Sequence, residues 1–360
     1  MNLADEAHAS GAGRSYSEPA PSCRAYQPMA AMTSLFRGSL GRNIASLYAL
    51  QLANMILPLL TIPYLVRVLE PDGFGAVAFG QGLVAYFTLS VNYGFDWSAT
   101  RRISVNRDDL GTVSRTASSV WAAKALLCTV GLAVLLLLIQ LVPRLAENPS
   151  LLVILYGIVV GNVLFPAWLL QGLERMVVAS TVNLVVRSLS TLAIVLLVRR
   201  PSDSLVYASM LSLQWIVAGI VGGLVGIRIS HISLVLPSWK DIWETLAEGW
   251  MLFLSTGATS LYATGNSFIL GLFAGDAAVG YYSASERLVR ATLCLWGPVS
   301  QAVFPRMSHL APTSRGLALT LGRRLMFGIA IVGGCLLTIL YVGAPTIVRV
   351  ALGGGYIPAV

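Results

Sequence analysis

Charge is what this sequence has least of. Of 360 residues only 11% are charged and 56% are hydrophobic, with a mean hydropathy of +0.74. An ordinary soluble domain carries about 25% charged residues, and so few charges cannot cover a water-facing surface. The shortage excludes a soluble enzyme, a nucleic-acid-binding domain and a disordered chain. The net charge of +8 therefore asks for a membrane explanation, not nucleic acid. Histidine is scarce, and His8, His231 and His309 lack metal-ligand spacing. The cysteines, Cys23, Cys128, Cys294 and Cys335, form no CxxC pair. Among apolar residues cysteine acts as a small hydrophobe, so the redox compartment is not read from them. There is no GxxxxGKS/T phosphate loop, which argues against direct ATP hydrolysis. No metal or cofactor is expected. Residues 1–31 contain no apolar central region and so are no secretory signal.

What the chain does have is long apolar runs. A hydrocarbon core about 30 Å thick needs roughly 20 apolar residues in a helix. Nine stretches qualify: 43–66, 74–96, 116–141, 150–171, 177–198, 204–227, 246–272, 279–303 and 323–343. The fold class is all-α integral membrane. Pro58 and Pro63 in the first stretch and Pro298 in the eighth predict kinks whose freed carbonyls need neighbours or a lined cavity. Residues 1–42 read as a cytoplasmic, disordered leader, with Met32 as an alternative start.

Cations set the orientation. With the N-terminus inside, the outer loops hold only Arg67, Arg144, Arg199, Arg200 and Arg349. The inner side holds the N-terminal arginines, Arg101, Arg102, Arg107, Arg115, Arg175, Arg228 and Lys240. It also holds Arg306, Arg315, Arg323 and Arg324. A cytoplasmic N-terminus is the expectation.

Six stretches, 43–227, form a first bundle. A basic connector, 228–245, follows, with Leu236, Trp239 and Trp243 at helical spacing, as in an interfacial amphipathic segment. Residues 246–360 then form a partial second bundle. A shift of 204 residues aligns Asp72 with Asp276, Thr88 with Thr292, Leu89 with Leu293 and Arg102 with Arg306. An even number of spans per half puts both halves in one orientation, as in parallel-repeat transporters. A second half matching the first would extend well beyond Val360, so truncation is expected.

Four cations fall inside the stretches: Lys124, Arg187, Arg287 and Arg290. Each costs about 2.5–3.5 kcal/mol at mid-membrane on insertion scales, so they should face a cavity or snorkel to an interface. Arg287 and Arg290 share a helix face, with Glu286 placed to pair with Arg290. Either the group holds its span together, or the surplus guanidinium grips an anion bidentately. Arg187 sits mid-span with Asn183 one turn earlier, and Lys124 could line a cavity or snorkel. Gln51, Asn54, Asn92, Asn162, Asn183 and Asn266 could bond sugar hydroxyls or join helices to each other. Asp96, ahead of Arg101 and Arg102, is either an interfacial partner or a coupling carboxylate, and Glu286 is a second coupling candidate. Asp108–Asp109 reads as a solvated turn. Gly157-xxx-Gly161, Gly219-xxx-Gly223, Gly222-xxx-Gly226 and Gly271-xxx-Gly275 are packing devices.

Several segments resemble one known family. SLYALQLANMILPLLTIPYLVRVLEPDGFG from Ser46 is similar to the opening of Wzx-type O-antigen flippases of the polysaccharide transporter family. NYGFDWSATRRIS from Asn92 resembles its second helix end and first inner loop. EGWMLFLSTGATSLYATGNSFILG, GYYSASERLVRA and PVSQAVFPRMS resemble the start of its second bundle. The resemblance covers about residues 40–360. It implies a MATE-like fold of two six-helix bundles around a central cavity. It also implies movement of undecaprenyl-diphosphate-linked oligosaccharide across the bacterial inner membrane by alternating access. A polysaccharide polymerase and a chain-length regulator are the implied partners. Three other readings stay open: a MATE-type cation-coupled drug exporter, a membrane glycosyltransferase, and an inactive fragment of a flippase.

Overall fold

The computed structural model describes residues 39–293, 315–353, 355 and 356. Among them every regular element is a helix. They are α1 (Ser39–Asn92), α2 (Phe95–Val105), α3 (Leu110–Leu141), α4 (Pro143–Ala146), α5 (Pro149–Leu164), α6 (Ala167–Gly172), α7 (Met176–Leu197), α8 (Ser204–Ser230), α9 (Trp239–Thr264), α10 (Asn266–Leu293) and α11 (Arg315–Ala351). Five stretches among the described residues are long and apolar enough to cross a membrane. A bent pair in α11, Met326–Ile339 and Tyr341–Val350, meets at 54° and makes six if taken as one span. The expected nine is thus not reached by length and apolarity. The first stretch falls largely on residues whose side chains are outside the description, and the eighth runs past Leu293. The seventh, 246–272, is divided between α9 and α10 at Gly265, and the side chains of residues 261–264 within it lie outside the description.

The helix ends follow from local chemistry. Asp109 caps α3 by accepting from the Gly111 and Thr112 amides at 3.0 and 3.2 Å. The turn expected at Asp108–Asp109 is therefore a helix cap. Ser238 and Asp241 form a capping box at the start of α9. Pro143 and Pro149 occupy first-turn positions, where their missing N–H is not needed. Pro166 separates α5 from α6. Between α8 and α9, His231 turns the chain in a left-handed conformation (φ 51°), and in the irregular segment that follows the Ser233 and Val235 amides donate to Ser114 and Ser118 hydroxyls of α3. Leu236 lies in that irregular connector, while Trp239 and Trp243 lie one turn apart on α9, so the helical spacing expected of the three holds for the two tryptophans alone.

Two helices contain a break. At Glu70 in α1 the backbone leaves the helix (φ 56°, ψ 173°). Pro71 follows, and the residue before proline is driven out of the α region. At Gly275 in α10 the conformation is nearly the same (φ 79°, ψ 172°), reached there through glycine's freedom at positive φ. The two bends touch reciprocally. A Cβ on Gly75 would collide with the Asp276 carbonyl, and one on Gly280 would collide with the Pro71 carbonyl. Pairing Glu70 with Gly275, Pro71 with Asp276 and Gly75 with Gly280 gives an offset one residue longer than the alignment of Asp72 with Asp276.

The glycine seam expected from GxxxG spacing joins α5 to α8. At Gly161 and Gly219 the two backbones approach so closely that a Cβ on either would strike the partner's carbonyl group. One core runs from Ile62 through Val91 to Leu152, Leu155, Val279 and Val348. A second gathers Phe95, Ile103, Val120, Trp168 and Leu246. Outward lie Leu136, Leu137, Leu189, Leu192, Leu224 and Phe273, all exposed. So much exposed leucine on contiguous helices matches a hydrocarbon surround.

Candidate functional site

The helix break between α1 and α2 organises the site. Tyr93 and Gly94 both take positive φ, 44° and 81°. Tyr93 stacks on Phe253 of α9 with ring centroids 4.7 Å apart. Gly94 lies against Leu252 and the Gly249 carbonyl, where a side chain would not fit. Asn92 precedes this joint and Asp96 follows it.

Both residues face a cavity of about 360 Å³. Lys124 of α3 is 1% exposed and donates a 3.0 Å hydrogen bond to Asn92 Oδ1. Arg187 and Asn183 of α7 complete a cationic, amide-rich wall, joined by Asn162, Ser180 and Gln214. The Asn183 amide group donates to the Ala179 carbonyl within its own helix. Asn162 Oδ1 is buried without a hydrogen-bond partner in the protein. A second cavity of about 350 Å³ shares Asn92 and Trp215 with the first. Its polar wall is Gln81, Thr88 and Ser260, the last from α9.

Five sequence candidates, Lys124, Arg187, Asn92, Asn162 and Asn183, thus meet in one place. Asp96 joins them; of its two expected roles, the ion pair with Arg101 or Arg102 is not formed, and Arg102 pairs with Glu248 at 3.5 Å. Arg290 pairs with Glu286 at 2.8 Å, as their spacing predicts. Arg287 turns to another element. It donates to Gln81 Oε1 at 2.6 Å and lies 4.9 Å over the Phe74 ring. Arg287 therefore touches the second cavity through Gln81, and Arg290 is half-exposed. Asn266 donates to the Tyr282 hydroxyl and is exposed, away from both cavities. The Gln51 and Asn54 side chains lie outside the described residues. Sequence reasoning missed Gln81, Ser180, Gln214 and Trp215. An amide inside an apolar run was a readable signal for Gln81 and Gln214; nothing local marked Ser180.

Loop contacts group consistently. Arg107 meets Glu174, both in loops expected on one side. Arg144 meets Asp276 at 2.6 Å and Glu147, all expected on the other. Among the described residues no cluster of His, Cys, Asp and Glu has a metal-holding arrangement.

A family model described as "Polysaccharide biosynthesis protein" matches residues 40–311. Over 326 residues the chain is 33% identical to an Escherichia coli (strain K12) protein named "Putative O-antigen transporter". That match covers 89% of this chain and 78% of the relative. A Shigella dysenteriae protein of the same name is 30% identical over 310 residues, covering 84% of this chain and 78% of its own length. No solved structure matches significantly. A polar, cation-lined hollow inside helices apolar enough to cross a membrane agrees with these relatives, and the chain belongs to the polysaccharide biosynthesis protein family.

Proposed function

We propose that this chain is a flippase. It carries undecaprenyl-diphosphate-linked oligosaccharide, such as an O-antigen repeat unit, from the inner to the outer leaflet of the bacterial inner membrane by alternating access. Its N-terminus is cytoplasmic. The name shared by its relatives supports the cargo class. The single observation that carries the reading is the placement of Lys124 and Arg187 on one polar cavity. Two cations inside a membrane would cost about 5–7 kcal/mol if they faced lipid, so their common hollow needs a use. A diphosphate or acidic sugar is the matching occupant: guanidinium forks grip phosphate oxygens, and the lysine adds a point charge. The amides of Asn92, Asn162, Asn183 and Gln214 suit hydroxyl groups. In this reading the second cavity, reaching α9, is the route between the two bundles.

The test is surface display of polysaccharide in a strain lacking its own flippase. The wild-type chain restores display, and Lys124→Gln with Arg187→Gln abolishes it while the protein stays at normal level in the membrane. Full display by that double variant would sink the cargo role of the cavity.

Asp96 favours one second reading. A MATE-type cation-coupled drug exporter wants an acid deep in the first bundle, and Asp96 stands on the cavity wall beside Lys124. Raised drug resistance on expression, lost in Asp96→Asn, with no polysaccharide display, would support that reading instead.

A further inference from the structure

We propose that Trp215 and Asn162 form a sugar platform: the indole stacks on the apolar face of one pyranose ring, and the side-chain amide of Asn162, which lines the same cavity, bonds a hydroxyl or acetamido group of that same ring. The inference rests on the flippase reading and names the part of the cargo that this wall holds. Trp215 lines both cavities, so it stands at their junction. Its position is fixed by the glycine seam. A Cβ on Gly161 would collide with the Trp215 carbonyl group, and Gly219 closes on the Gly161 carbonyl one turn further along α8. The same close approach sets Asn162, the next residue of α5, on the wall of the first cavity beside Trp215. The seam is therefore more than a packing device, because it brings Trp215 and Asn162 to the wall of one cavity.

The pair is matched to a particular chemistry. Asn162 Oδ1 has no protein donor, so turning this amide toward a polar occupant breaks no bond at that atom. An indole face is electron-rich and apolar, and attracts the weakly positive C–H groups of a flat apolar surface. A molecule with such a face and donors around its rim is a pyranose. Lys124 and Arg187 across the hollow attend to charge, which leaves the neutral pair to read the sugar.

The test uses the full chain in proteoliposomes. The probes are the lipid diphosphate carrier bearing one N-acetylhexosamine and the same carrier without sugar. We expect Trp215→Leu to raise the KM for the sugar-bearing carrier about tenfold, with kcat little changed. Trp215→Phe, which keeps a π face, stays within about threefold of wild type. Asn162→Leu raises KM for the sugar-bearing carrier and leaves the bare carrier unaffected. An active wild type with an unchanged KM in Trp215→Leu overturns the platform alone. Equal losses for the bare carrier also overturn it, since the pair would then hold the lipid diphosphate. A wild type that flips neither probe overturns the flippase reading itself, and the platform with it. Thermal denaturation of each variant separates a fold defect from a binding one, and Trp215→Phe keeps the test open if Trp215→Leu does not fold.

Discussion

Arg144 and Asp276 form an ion pair of 2.6 Å across 132 residues of sequence, each side chain only about one-fifth exposed (21% and 22%). The same guanidinium donates to the Gly271 carbonyl at 3.0 Å and lies 5.5 Å over the Phe79 ring. One side chain therefore ties the α3–α5 connection to the bend in α10. Partly buried pairs fall between the exposed and fully buried cases. Asp276→Asn should cost about 1–3 kcal/mol, read as a lower melting temperature in detergent. The reversed pair, Arg144→Asp with Asp276→Arg, should recover part of the loss. Equal melting of wild type and Asp276→Asn would show the pair to be stabilising nothing.

The reciprocal contact at the two bends makes a paired forecast. Gly75→Ala and Gly280→Ala each push a methyl group into a backbone carbonyl, where no side chain can yield. Overpacking of this kind costs about 1–3 kcal/mol or more. Gly257→Ala is the control. It has open space around it, sits in α9, and should gain up to about 1 kcal/mol of helix propensity. Folded yield after membrane extraction ranks the three, and a ranking with Gly257→Ala lowest contradicts the contact geometry.

Arg287 and Arg290 should separate. Arg290→Gln removes an exposed helical ion pair and should change stability by less than about 1 kcal/mol. Arg287→Leu loses both the Gln81 bond and the Phe74 ring contact, about 1–3 kcal/mol in all. Melting curves of the two variants decide it, and polysaccharide display of Arg287→Leu is interpretable only beside them.

Acid should loosen helix ends before cores. Asp109 and Asp241 lie outside the spans and are both held below the usual carboxylate range. The Thr112 hydroxyl and amide bond Asp109, and Ser238 bonds Asp241. Depressed carboxylates contribute stability that is present above their unfolded pKa and is lost as pH falls through the folded one. The loss therefore belongs below about pH 4. Asp109→Ala should be less stable than wild type at neutral pH and should show a shallower acid decline. A decline as steep as that of wild type would remove Asp109 from the explanation.

Much of the fold was legible because it depends on local patterning. The Leu-rich runs of α3 and α5 read as membrane helices from composition, and the glycines of α5 and α8 read as a seam from their spacing. Glu286 and Arg290 were paired by helix geometry alone. What could not be read depended on which elements meet. Lys124 was legible as a buried cation but not as the partner of Asn92, because nothing local places α3 beside the end of α1. For Asp96 the sequence left an ion pair with its neighbours and a coupling role both open, and only the fold shows Arg102 taken by Glu248 of α9. Gln81 was passed over although it partners Arg287, since one amide in an apolar run carries no sign of what it faces.

The joint at Tyr93–Gly94 has a mechanical consequence. Asn92 and Asp96, four residues apart, face one hollow from the two arms of a broken helix, and Tyr93 between them is clamped against Phe253. The two side chains are therefore joined by a pair of residues already outside the helical region, not by a continuous helical turn. Ring stacking ties that joint directly to α9. Lys124, bonded to Asn92, thus sits one residue from a joint that the neighbouring helix holds.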